Sequence, residues 1–162
     1  MHIAEFEVAL QDNDVAALDS VWLQILEAHP TDANLLLKLA DKVATRMDKR
    51  RAATMLLAAL DGMKGAGRFE DAFRLLKTAC EYHPKEKKLW DEVLELAPFA
   101  FSHVDEIEFV LEGGKSQFEG NVQALLQYLD TFTYFRVGDW VAHGKGWGIG
   151  RVTGVEPRSG KL

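Results

Sequence analysis

The chain has little with which to lock itself covalently or to enter a membrane. Its one cysteine, Cys80, cannot form an internal disulfide, and its apolar neighbours predict a small core residue in a reducing cytoplasm. No apolar run approaches the roughly 18–20 residues of a membrane helix, so no membrane contact is expected. The opening "MHIAEFEVALQDND" lacks the basic-then-apolar order of a secretion signal. Histidines are few and scattered: His2, His29, His83, His103 and His143 form no His-x-x-x-His pair, and there is no Cys-x-x-Cys. Neither a metal nor another cofactor is therefore expected. No serine or cysteine nucleophile motif accompanies His143. The carboxylate clusters "DEVLE" at 91–95 and "DEIE" at 105–108 read as solvated helix faces rather than acid/base pairs. Together these gaps predict a protein that is not an enzyme.

What is present suits one compact domain, or a domain plus a small module: 162 residues, 48% hydrophobic and 27% charged. The net charge of −6 is unevenly spread. Up to Thr133 there are 14 basic against 23 acidic residues, a charge of −9; from Tyr134 onward there are 5 against 2, a charge of +3. An acidic body does not coat a nucleic acid by charge. The mildly basic tail permits phosphate contact without demanding it, which ranks nucleic acid below protein as a partner.

Residues 1–130 carry helical periodicity throughout. Val15, Leu18, Val21, Trp22, Ile25 and Leu26 share one face, as do Phe69, Ala72, Phe73, Leu76, Ala79 and Cys80. Breakers are expected at "HPTD" 29–32, "GMKGAGR" 62–68, "HPKE" 83–86, "APFAFS" 97–102 and "EGGKS" 112–116. Thr31 or Asp32 is placed to cap the helix after the first break, and Asp48 the helix that begins near Lys49. The basic run "DKRRAA" at 48–53 thus opens a helix, against the macrodipole except for Asp48. An internal repeat is legible: "SVWLQILEAHPTDANLLLKLA" at 20–40 aligns with "RLLKTACEYHPKEKKLWDEVL" at 74–94, His29-Pro30 on His83-Pro84. Its offset of 54 residues exceeds one helix pair and leaves an extra helix, about 49–63, between the copies. Stacked helical hairpins bury a face that none of them buries alone, and Trp22 and Trp90 read as core within them. "GRFEDAFRLLKTACEYHPKEKKLW" resembles a degenerate tetratricopeptide-type repeat, over roughly residues 14–97. That resemblance implies a surface that holds partners or spaces domains.

The pattern changes in "FRVGDWVAHGKGWGIGRVTGV", 135–155. Aromatic and β-branched residues flank glycines at 144, 146, 148 and 150, which predicts two short strands joined by a glycine-rich turn. Val137-Gly138-Asp139 fits a bend that aims the strand Trp140–His143. The glycines match neither a dinucleotide fingerprint nor a Walker loop, since both need a helix to follow. The phrase resembles the small Tudor-like barrel of RNA-polymerase-interacting proteins such as CarD-type regulators and transcription-repair coupling factors. Placed after helical repeats, it is most similar to extended members of the Gre transcript-cleavage family. The resemblance implies a mainly α chain of tetratricopeptide-like hairpins, 1–130, then the start of a truncated β module, 131–162. It implies a non-catalytic region of a bacterial, cytoplasmic elongation factor that docks on RNA polymerase and positions Gre-like domains downstream. The expected contact residues are Trp147, Lys145, Arg151, His143 and Trp140. The alternative is a generic helical scaffold that binds a peptide or protein.

Overall fold

The fold was obtained as a computed structural model, which describes residues 2–104, 106–134, 137–143 and 148–154. It is mainly helical, as expected. Eight helices are described: α1 His2–Gln11, α2 Val15–Ala28, α3 Ala33–Arg46, α4 Lys49–Gly65, α5 Phe69–Tyr82, α6 Lys87–Ala100, α7 Ile107–Gln117 and α8 Val122–Thr133. Two strands follow, β1 Trp140–His143 and β2 Gly148–Arg151. The chain divides into two compact units, Met1–Leu96 and Ala97–Leu162.

The internal repeat is written into the backbone of the first unit. Helices α2 and α5 have the same length of 14 residues, and their first and last residues lie 54 positions apart; the same holds for α3 and α6. Both His-Pro corners end a helix in the same way. His29 (φ −137°, ψ 55°) and His83 (φ −141°, ψ 66°) each donate a backbone N–H to the carbonyl four residues back. Proline next in sequence keeps these residues out of the helical region, so the corner is set by local sterics.

Side-chain caps begin α2, α3, α4 and α8. Asp14, Asp32 and Asn121 accept backbone N–H bonds from Ala17, Leu35 and Ala124, and Asp48 accepts from Arg50. The core of this unit is a continuous apolar layer, with Leu18, Ile25, Leu36, Leu39, Leu56, Leu60, Leu75 and Leu76 fully buried. Helix α4, outside the repeat, packs most closely on α5 and then on α3. At its end Lys64 donates to Glu92 at 2.7 Å and Glu95 at 3.1 Å on α6. Burial pulls the Lys64 pKa down, but the two carboxylates outweigh it and hold it above its ordinary value.

One expected breaker is helical throughout, and another is helical as far as Ala100. Pro98 lies inside the last turn of α6, which runs to Ala100 before the chain leaves it. "EGGKS" lies within α7. The reason is packing: a Cβ on Gly114 would stand 2.6 Å from Leu125 Cδ1 and 3.0 Å from Tyr128 Cδ1 of α8. The two helices approach so closely that only glycine fits, and this contact overrides the weak helix propensity. The other glycine-rich segment, 62–68, does end a helix, at Gly65, with Gly67 in the left-handed region (φ +70°). Trp22 is buried and donates its indole N–H to the Met55 carbonyl at 3.1 Å, whereas Trp90 is only half-buried.

Candidate functional site

The predicted β segment is an antiparallel hairpin in which Trp140 pairs with Arg151, Val141 with Gly150, Ala142 with Ile149 and His143 with Gly148. Its entry is a bulge. Gly138 donates its N–H to the Val152 carbonyl at 2.7 Å, and Val152 donates back to the Asp139 carbonyl at 2.8 Å. Two residues of the first strand thus oppose one of the second, with Gly138 at φ +102°. This is the geometry of a G1-type bulge, which needs a glycine at its first position. Val137-Gly138-Asp139 is the bend that the sequence suggests, and Gly138 supplies it.

The bulge fixes the phase of the hydrogen-bond ladder. Because Val152 bonds to Asp139, Trp140–Arg151 and Ala142–Ile149 fall in non-hydrogen-bonded positions, where facing side chains are closest. Alternation along the strands puts Trp140, Ala142, Ile149 and Arg151 on one face. That face is open to solvent: Trp140 is 73% and Ile149 75% exposed. Arg151 turns back on the bulge, with Nε donating to the Gly138 carbonyl at 3.1 Å. The same guanidinium that was expected to meet a partner therefore also braces the bend. His143 ends β1; Lys145 and Trp147 lie outside the described residues. Of the five predicted contact residues, the hairpin thus brings Trp140 and Arg151 side by side.

A second surface lies in the helical unit. A cleft of about 420 Å³ opens between α2 and α4. Its floor is apolar, made by Trp22, Leu23, Met55 and Ala58, with Leu23 57% exposed. Its rim is charged. Arg51 Nη1 meets Asp19 Oδ1 at 2.6 Å, and the Asp48 carboxylate accepts the Arg50 backbone N–H at 3.1 Å. Thr54 donates its hydroxyl to the Arg50 carbonyl at 3.1 Å. The Arg50 guanidinium, also on the rim, is exposed and has no partner among the described residues. Sequence reasoning noted "DKRRAA" but not the cleft. The signal was there in Leu23, an apolar residue on the polar side of α2, four residues after Asp19.

The remaining reactive groups are quiet. Cys80 is fully buried, and loss of solvation, with Glu81 nearby, pushes its thiol up to about 12. Tyr82 is likewise pushed up to about 12, by burial and by the hydroxyl it donates to Asp41 at 3.1 Å. Among the described residues there is no group of three or more His, Cys, Asp or Glu that could hold a metal ion. No described helix is long and apolar enough to cross a membrane. Compared with protein families, with curated proteins and with solved structures, the chain finds no significant match.

Proposed function

We propose that this chain is a non-catalytic protein-interaction region of a bacterial transcription elongation factor, which docks on RNA polymerase and positions Gre-like domains. The observation that carries the reading is the open hairpin face. An isolated two-stranded hairpin buries little of its own apolar surface, yet this one turns a tryptophan and an isoleucine to water on the same side. Aromatic side chains held on a pinned bend lose little entropy on docking, which is what an interface anchor requires. The sequence phrase that resembles polymerase-interacting modules runs through this same hairpin. The helical unit, built of stacked pairs, would act as the spacer or holder.

Retention of purified bacterial RNA polymerase on the immobilised full chain tests the reading. The wild-type chain is expected to retain the enzyme, and Trp140→Ala to weaken retention about tenfold or more, as for an anchor residue. Failure of the wild-type chain to retain polymerase would defeat the proposal. Retention that persists in a Trp140→Ala, Ile149→Ala double variant would move the contact to the helical unit, the alternative scaffold reading.

A further inference from the structure

The bulge that opens the hairpin leaves one backbone group over. Its two backbone bonds use the Gly138 N–H, the Asp139 carbonyl and both polar groups of Val152. The Gly138 carbonyl takes part in neither bond. A side chain meets it instead: Arg151 Nε donates to it at 3.1 Å. Three hydrogen bonds therefore tie residues 138–139 to residues 151–152. The third is the one that a side-chain substitution can remove without touching the backbone.

Where that side chain starts matters as much as where it ends. Arg151 stands opposite Trp140 on the open face, at a position where facing side chains are closest. From there its head reaches diagonally to the bend that delivers Trp140 into β1. The guanidinium closes over Gly138, with Nη2 3.3 Å from where a Cβ would stand. A side chain at 138 would press on it, so the glycine serves the bend and the arginine together. A two-stranded hairpin is marginal by itself. One bond at its entry therefore shifts the share of molecules in which the bend is formed, and apparent affinity for a partner scales with that share.

We infer that Arg151 is a positioning residue: it holds the Gly138 bend closed, and so presents Trp140 to the polymerase, through its Nε bond rather than through its charge. The inference rests on the proposed docking of the hairpin face. It moves Arg151 from the contact that the sequence suggests to the support behind the contact.

Two substitutions separate the bond from the charge. Arg151→Gln removes the charge but keeps an amide N–H₂ as many bonds from the backbone as Nε, able to donate to the Gly138 carbonyl. Arg151→Met has a similar reach and no donor. Arg151 is exposed, so neither change disturbs a core. Affinity of the full chain for purified bacterial RNA polymerase is measured at about 50 and about 200 mM salt, concentrations that differ in how far they screen exposed charges. Arg151→Met should weaken binding about fivefold at both, the effect of one net hydrogen bond. Arg151→Gln should restore affinity to within about twofold of the wild type, since its amide replaces the lost donor. A second readout needs no polymerase. Amide exchange at Gly138 and Val152 in the free chain should be about fivefold faster in Arg151→Met and close to wild type in Arg151→Gln. Glutamine binding as weakly as methionine would overturn the inference and leave the docking reading intact; losses that shrink at the higher salt would then make Arg151 a charged contact. Methionine binding as well as the wild type would overturn it too. A wild-type chain that fails to bind polymerase defeats the docking reading instead. The brace then stands or falls on the exchange rates, and equal rates in the three proteins overturn it.

Discussion

Replacing Gly114 by alanine tests whether α7 and α8 are held at glycine distance. On helix propensity alone the change should stabilise by about 1 kcal/mol. The structure reverses the sign. A methyl at 114 would meet Leu125 Cδ1 at 2.6 Å and two ring carbons of Tyr128 at 3.0 and 3.2 Å. Leu125 is fully buried, and the Tyr128 ring lies between Phe118 and Phe132, with centroids at 5.5 and 5.1 Å. Neither neighbour can withdraw without moving others, and overpacking of this kind costs about 1–3 kcal/mol. The net expectation is a loss of up to about 2 kcal/mol. Gly113, one residue earlier, is the control. It is exposed, and a methyl there meets Tyr128 Oη at 3.1 Å and Cζ at 4.0 Å. Gly113→Ala should fall between neutral and a gain of about 1 kcal/mol. Native-state amide exchange at Val110 and Leu111, read with urea unfolding, measures both variants locally and globally. Exchange in Gly114→Ala as slow as in Gly113→Ala, or slower, would refute the close-packing account of α7.

Trp22→Ala should destabilise by about 3–5 kcal/mol, because it empties a buried site and removes the indole hydrogen bond to the Met55 carbonyl. Trp90→Ala, at a half-buried site, should cost clearly less, and thermal melts of the pair would show the order. Cys80 should stay unreactive toward a thiol reagent at pH 8 until denaturant is added. Its folded-state pKa is raised, from 9.0 to about 12, so its contribution to stability is complete below pH 9 and is lost as pH rises toward 12. The urea midpoint should fall across that window, and less steeply in Cys80→Ala. Gly138→Ala forces an L residue to φ +102° and places a methyl 3.3 Å from the Arg151 guanidinium. It should weaken or erase the Hα–Hα contact between Ala142 and Ile149 by NMR while leaving the helices of residues 2–96 unchanged.

The helical unit was legible in the sequence because its rules are local. The His-Pro corners, the Asp32 and Asp48 caps and the 54-residue offset each depend on a few neighbouring residues, and each is found where the sequence puts it. The hairpin was legible for the same reason, since Gly138 and the alternation around Trp140 encode a bend and two strands. What escaped was set by distant contacts. Gly113 and Gly114 look like a breaker until Leu125 and Tyr128 are placed against them. Trp90 looks like core by its match to Leu36, but that repeat position is buried in one copy and half-open in the other. The cleft depends on where the interposed helix α4 rests against α2, and no spacing within either helix states that.

The most direct test of the docking claim is a photo-crosslinkable residue at position 140 of the full chain, mixed with purified bacterial RNA polymerase. The same probe is placed at exposed Gln24 on α2 for comparison. A crosslink to a polymerase subunit from position 140 but not from position 24 is the predicted result. Position 140 giving no crosslink, or one no stronger than position 24, would contradict the claim that the hairpin face is the docking surface.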